Sequence, residues 1–158
     1  MKKIILPILI ILNGICFAQT NEEQIHNIID KQERDWNKND MVSYAESFTN
    51  DGKLINFLGL FWKGKSEIIQ QFKLINECCI KPTEIKLDIS DMDFVNDSAA
   101  VVLIKETLTA KKDYSVPGKI VPKGSVDHKL ITAVFLREQS IWKICSMQVT
   151  QVATIPLR

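Results

Sequence analysis

The sequence is short of cysteine and histidine, and it has no surplus of charge of either sign. Four cysteines in 158 residues are too few for a fold held together by disulfides. The two histidines, His26 and His128, stand at no ligand spacing from a cysteine or carboxylate pair, so no metal site is expected. Twenty basic side chains against 19 acidic ones provide no positive stripe for a phosphate backbone, which argues against a nucleic-acid partner. Phosphate loops, nucleophile elbows, zinc motifs and dinucleotide fingerprints are all missing, so no cofactor is implied. There are no internal repeats, no low-complexity tracts and no linkers rich in Gly, Ser or Pro. Disorder is excluded from the other side, because 46% of the residues are hydrophobic.

One long hydrophobic run stands out, at the N-terminus. Met1, Lys2 and Lys3 precede an apolar stretch from Ile4 to Phe17, interrupted only by Pro7, Asn13 and Gly14, and the small Ala18 precedes Gln19. Basic, apolar, then small is the order of a secretory signal, and the run is shorter than the ~20 residues that span a bilayer. Residues 1–18 are therefore expected to be a signal peptide and residues 19–158 a single exported domain, periplasmic or secreted, with no membrane association after cleavage. An N-terminal anchor is the alternative. A lipid on Cys16 is disfavoured, because Ile15 stands where such signals want a small residue. Without Lys2 and Lys3, the 20 basic residues become 18 against 19 acidic, a net of −1. About 140 residues suffice for one domain with a real core. The three remaining cysteines are an odd number. A bridge between the adjacent Cys78 and Cys79 would strain their peptide bond; a Cys79–Cys145 bridge stays open; buried thiols are the plainer reading.

The first half is helical in period and the second half alternates. Asn21 with Gln24 three residues on suggests a capping box, and Ile25, Ile28, Ile29, Gln32 and Trp36 make one helical face. Asn39 suits a left-handed stop and Asp40 the next cap. Val42, Tyr44, Ala45 and Phe48 form a second short face, Asn50-Asp51-Gly52 a turn, residues 53–57 a brief strand and residues 59–65 a loop carrying Trp62. A third helix is expected over 66–77, with Ile68, Ile69, Phe72 and Ile75 on one side. Strands then follow at 83–95, 98–110, 124–138 and 141–152, the first two joined by an Asn96-Asp97 turn and the last two by Gln139-Ser140. Residues 111–123 read as a long mobile hairpin loop. Helices followed by a meander of antiparallel strands give an α+β fold.

Two strands are apolar on both faces: Val101 and Leu103 against Val102 and Ile104, and Val134 and Leu136 against Ile131, Ala133 and Phe135. A sheet with one wet face should alternate more cleanly, so part of the outer face is expected to be covered by a second copy.

The segment from Glu33 to Asp40, which ends in Trp36-Asn37-x-x-Asp40, leads into Phe48-Thr49-Asn50-Asp51-Gly52 and then Trp62-Lys63-Gly64-Lys65 before Ile68. With Val134-Phe135-Leu136-Arg137, Trp142-Lys143-Ile144 and Gln148-Val149-Thr150, this order resembles the NTF2-like superfamily, and within it the SnoaL-like group often labelled DUF4440. The resemblance runs over residues 22–152. It implies a cone: a curved antiparallel sheet wrapped around three N-terminal helices, with a pocket at the wide end. Relatives of this kind include steroid isomerases, polyketide cyclases, dehydratases, epoxide hydrolases and non-enzymatic binding domains, so fold alone does not name the activity.

Carried over position by position, the resemblance puts Asn56 where isomerases hold a carboxylate base, Gln32 at the oxyanion-stabilising Tyr, and Val134 near the protonated acid. An amide takes no proton from carbon, so an isomerase mechanism of that type is disfavoured. If Val134 points into the cone, then Leu136, Thr132, Leu130 and His128 do too, and His128 becomes a candidate general base. Tyr44 is the other catalytic candidate. The expected ligand-binding set is Trp36, Tyr44, Asn56, Trp62, His128, Thr132 and Met147. Asp91 and Asp93 read as solvated acids at a strand end. Lys105 and Glu106 fall on opposite faces and make a poor catalytic pair. Ser146, Gln148 and Thr150 are expected on the outer, dimer-facing side. The function implied is binding of a small, largely apolar molecule, with a cofactor-independent isomerase, lyase or hydrolase, or a dimeric protein-interaction module, as alternatives.

Overall fold

The computed structural model describes residues 19–153; the expected leader at residues 1–18, with Cys16, lies outside them. The first helix, α1 (Asn21–Asn37), starts one residue earlier than its Asn21-x-x-Gln24 signal suggests. Thr20 is the cap: its hydroxyl accepts from the Glu23 amide at 3.1 Å, and the Glu23 carboxylate accepts from the Thr20 amide at 2.9 Å. Asn21 is thereby released to accept a hydrogen bond from the Trp142 indole at 3.2 Å, tying α1 to the last strand. The helix ends as its sequence indicates. Asn39 takes φ 64°, a left-handed stop, and the Asp40 carboxylate caps α2 (Met41–Ala45) through the Ser43 amide at 2.9 Å.

Helix α2 is shorter than the apolar spacing implied. Phe48 belongs instead to β1 (Phe48–Ile55), where it pairs with Ile144 and is fully buried. The expected turn at Asn50-Asp51-Gly52 sits inside β1, where the register with the neighbouring strand shifts between Phe48 and Lys53. Gly52 is needed there, because a Cβ would stand 3.0 Å from the Thr49 carbonyl oxygen and 3.1 Å from the Phe48 Cβ. The loop around Trp62 holds a short strand, β2 (Phe61–Lys63), antiparallel to β1. Helix α3 (Lys65–Ile75) runs on into a π-helical turn at Asn76–Ile80.

The second half is a meander: β3 (Thr83–Asn96), β4 (Ala99–Ala110), a small hairpin of β5 (Tyr114–Val116) and β6 (Lys119–Val121), then β7 (Val126–Glu138) and β8 (Ile141–Gln151). The β3–β4 turn is Asp97-Ser98 rather than Asn96-Asp97. Asn96 pairs with Ala99, and its side chain accepts from the Ser98 amide at 2.9 Å, an Asx-type turn. Gln139 and Ser140 both have positive φ, 50° and 68°, the twist that two-residue hairpins prefer. The stretch read as a long mobile loop is largely the β5–β6 hairpin, with Tyr114 opposite Val121.

The six-stranded sheet has the order β2-β1-β8-β7-β4-β3, antiparallel except for the parallel β1–β8 pair. Register shifts occur in β1–β8, twice in β3–β4, and between Val134 and Phe135 in β7–β8; such bulges bend a sheet and increase its twist. The helices pack on one face, where Ile25, Ile29, Ile68 and Phe72 meet Val102, Ile104, Ile131, Phe135, Ile144 and Met147. The result is α+β with three helices against a curved sheet. On the other face, Leu130 and Leu136 are each 37% exposed.

Candidate functional site

The end of the sheet away from the Gln139-Ser140 turn holds a cavity of about 380 Å³, within the range of small-molecule sites. Its walls are assembled from several elements. Trp36 comes from the last turn of α1, and its indole donates to the Thr83 hydroxyl at 3.2 Å. Trp36 and Phe72 meet edge to face at 6.2 Å, Tyr44 and Phe72 at 5.2 Å, and Trp62 and Phe72 at 5.3 Å, a geometry favoured by the ring quadrupoles. Phe72 is thus the ring about which the other three are set. Leu54 and Val149 continue the apolar wall from β1 and β8, and the β5–β6 hairpin closes one side with Tyr114, Val116 and Val121.

The polar part of the wall is a buried ion pair. Glu106 on β4 and Lys129 on β7 are cross-strand partners, with 8% and 4% of their surface exposed. The Lys129 ammonium donates to Glu106 Oε1 at 3.0 Å, stands 3.3 Å from Asp127 Oδ2 and lies 5.4 Å from the centre of the Phe57 ring. Asp127 also accepts from the Gln151 amide at 2.6 Å. Partial burial works against ionisation of Asp127, but the Gln151 bond and the Lys129 charge prevail and hold its carboxyl below the usual range. Burial first, and the Glu106 charge second, push the Tyr44 phenol far above its ordinary pKa, so it is a neutral donor at all physiological pH. Among the described residues the Tyr44 hydroxyl has only the Met147 sulfur, at 3.9 Å, as partner. Burial also raises the Tyr114 phenol. Burial, then the adjacent Cys78, push the Cys79 thiol up to about 12, leaving it protonated on the cavity wall. Cys78, Cys79 and Cys145 are all free thiols.

Of the residues expected to meet a ligand, Trp36, Tyr44, Asn56 and Trp62 line the cavity. The Asn56 side-chain oxygen accepts from the amides of Leu58 and Leu60 at 2.9 and 3.0 Å, so it shapes the loop before β2. Met147 lies behind the wall, under the Tyr44 hydroxyl. His128 and Thr132 do not belong to this set. Both are exposed, on the opposite face of β7, and His128 Nδ1 lies 3.4 Å from the Thr107 hydroxyl. The reason is strand parity. The residues of β7 that face the helices are Lys129, Ile131, Ala133 and Phe135, and the unbroken β4–β7 register from Ala99↔Leu136 to Thr109↔Val126 keeps that alternation. Val134 therefore points outward, carrying His128, Leu130 and Thr132 with it. Gln32 is fully buried and does not line the cavity. Asp91 and Asp93 are exposed on β3.

Sequence reasoning passed over Glu106, Asp127 and Lys129. Along the chain Glu106 has Lys105 as its neighbour, whereas its partner, Lys129, lies on the adjacent strand. A usable signal was present. Glu106 falls between Ile104 and Leu108 in an apolar alternating set, and Lys129 falls two residues before Ile131 in another. Opposite charges interrupting the core faces of two adjacent strands mark a buried pair.

No protein-family model and no curated protein matches the sequence. Solved structures do. A domain of unknown function with a cystatin-like fold from Nostoc punctiforme superposes with a TM-score of 0.74 at 20% identity, covering 87% of this chain and 82% of its own. An NTF-2 like protein of unknown function from Shewanella oneidensis gives 0.67 at 18%, covering 84% and 100%. The chain has the NTF2-like fold. A putative scytalone dehydratase from Novosphingobium aromaticivorans matches this NTF2-like chain at 0.68 and 12% identity, covering 87% of each. At such identities the likeness concerns architecture, and the chemistry of this NTF2-like cavity has to be taken from its own residues.

Proposed function

We propose that the chain is an exported NTF2-like domain of the SnoaL-like (DUF4440) kind that binds a small, largely apolar molecule in its cone cavity and works as a homodimer. The observation that carries this reading is the cavity itself. About 380 Å³ of space is walled by Trp36, Tyr44, Trp62 and Phe72, with Glu106 and Lys129 set among them. A packed core would fill such a space, since interiors leave few voids larger than a water molecule. Export is supported by the leader-like residues 1–18, and the secreted protein should begin at Gln19 when its N-terminus is sequenced. Dimerisation is supported by the outward leucines Leu130 and Leu136 beside Val101 and Leu103. Light scattering at micromolar concentration should give twice the chain mass, and Leu130→Glu should give the monomer.

The test of ligand binding is a screen of small apolar and hydroxylated compounds, read by thermal stabilisation and by the fluorescence of Trp36 and Trp62. A ligand at a hundred times its Kd raises stability by about 2.7 kcal/mol. No stabilisation and no spectral change with any compound would sink the proposal. A second reading, a cofactor-independent lyase, isomerase or hydrolase, draws support from one feature: the cavity holds a carboxylate, Glu106, and a neutral phenol, Tyr44, on one wall. In that reading Glu106 takes the role of proton acceptor expected of His128. Turnover of a screening hit that vanishes in Glu106→Gln and persists in His128→Ala would favour it over simple binding.

A further inference from the structure

The hydrogen-bonding groups of the cavity divide into those that the protein already uses and those left open. Lys129 is used: its ammonium is held by Glu106 Oε1 and Asp127 Oδ2 and stands over the face of Phe57. The Asn56 oxygen is used by two backbone amides. Asp127 is taken up by Gln151, Lys129 and the His128 amide. Tyr114 and Lys119 also line the cavity, with no side-chain hydrogen bond among the described residues, and offer it donors; Glu106 offers it an open carboxylate oxygen. Its Oε1 accepts from Lys129, while Oε2 has no hydrogen-bond partner among the described residues, and the side chain is more than nine-tenths buried on the cavity wall. Oε2 is open to the cavity, and what reaches it is whatever occupies that space; a carboxylate oxygen gains from such a donor.

The charges around Oε2 restrict that occupant further. A ligand ammonium hydrogen-bonded to Glu106 would crowd the Lys129 ammonium on the same carboxylate. A ligand carboxylate in the same place would face both Glu106 and Asp127. Each would bring like charges together where the dielectric is low. A neutral donor meets neither penalty, and its bond to an ionised acceptor is stronger than one between neutral groups.

We propose that the cavity selects neutral apolar molecules that carry a hydroxyl, and that the hydroxyl donates to Glu106 Oε2 while the hydrocarbon body lies against Trp36, Trp62 and Phe72. This rests on the small-molecule reading of the same cavity and adds to it the class of ligand. The Glu106–Lys129 pair then acts as a specificity device: Lys129 holds one carboxylate oxygen at 3.0 Å, so the other is presented to the ligand.

The experiment compares four compounds with one ring system: indane, 2-indanol, 2-aminoindane and indane-2-carboxylate. Dissociation constants are measured at pH 7 by calorimetry on the mature chain. The expected result is 2-indanol binding about tenfold tighter than indane, the contribution of one hydrogen bond to a charged acceptor, with both charged compounds weaker than 2-indanol. In the double variant Glu106→Leu/Lys129→Met, the 2-indanol advantage should vanish while indane binding persists. Glu106→Gln, which keeps the shape and removes the charge, should show the same loss in smaller measure and serves if the double variant does not fold. Equal affinities for indane and 2-indanol would overturn the hydroxyl preference and leave the small-molecule reading standing. So would an advantage that survives in both variants, or tightest binding by the amine or the carboxylate. If none of the four binds, the small-molecule reading falls and takes the preference with it.

Discussion

The two ends of the same strands have been put to different uses. At the end near the Gln139-Ser140 turn, β4, β7 and β8 bring Ala100, Phe135, Trp142 and Ile144 together with exposures of 1% or less. At the other end the same faces of β4 and β7 carry Glu106 and Lys129 beside an open space of about 380 Å³. The β4–β7 register is continuous between them, so the pairing of these two strands does not make the difference. Side-chain choice does: large rings close one end, while a charged pair and a ring of aromatics hold the other open. A protein selected for stability alone would extend the packed end, because buried ion pairs are often matched or surpassed by apolar replacements.

The largest expected effect lies at the packed end. Phe135→Ala removes a fully buried ring from the packed end, and should cost about 3–5 kcal/mol in urea unfolding. A loss below ~1 kcal/mol would mean that this end is not a closed core. Next comes the charged pair. Lys129→Met alone strands Glu106 in an apolar wall and should cost about 3 kcal/mol. Adding Glu106→Leu should return most of that, bringing the double variant to within about 1 kcal/mol of the parent. If the double variant is as unstable as the single one, the pair is a structural necessity, and the contrast between the two ends loses its functional meaning.

Much of this architecture was legible in the sequence, and the exceptions have physical causes. Helix α1, the stop at Asn39, the cap at Asp40 and the β7–β8 turn all followed from local chemistry, which one chain segment carries by itself. Caps and turns slipped by one residue where two signals overlap. Thr20-x-x-Glu23 competes with Asn21-x-x-Gln24, and the two-residue turn is Asp97-Ser98 because Asn96 turns its side chain onto the Ser98 amide. The spacing of Phe48 from Tyr44 fits a helix, while its pairing with Ile144 depends on a strand nearly a hundred residues away. The site was less legible for a single reason: on a strand apolar on both faces, parity has no local marker. Aromatic wall residues escape that ambiguity, because Trp36 and Tyr44 lie on helices and Trp62 on the short edge strand β2, none of them on a strand apolar on both faces. His128 and Thr132 do not, because their side of β7 was assigned through Val134. Lys129, buried in the set with Ile131, Ala133 and Phe135, shows the actual side once its partner Glu106 is recognised.

That parity is open to a test of small amplitude. His128→Ala on the outer face should change stability by no more than about 0.5 kcal/mol and leave the affinity of any cavity ligand unaltered. Tyr44→Phe, on the cavity wall, should alter ligand affinity without a comparable change in fold. A ligand Kd that moves with His128 and not with Tyr44 would reverse the two faces of β7 and undo the comparison of its ends.

The smallest effect concerns the edge of the open end, where the ion pair meets solvent. Asp127 is held below the ordinary carboxylate range by Gln151 and Lys129, against the pull of its partial burial. A group whose folded pKa is depressed contributes stability above its unfolded pKa and loses it as pH falls through the folded value. Asp127 should therefore stabilise the fold at neutral pH and cease to do so in acid, below the ordinary Asp range near 4. Its side chain is 43% exposed, so solvent screening reduces the effect to a few tenths of a kcal/mol. Asp127→Asn should lower the melting temperature slightly at pH 7 and leave it unchanged near pH 2, where the parent carboxyl is itself protonated. An equal difference at both pH values would mean that Asp127 acts through shape and hydrogen bonding, and that Glu106 alone balances Lys129 at the open end.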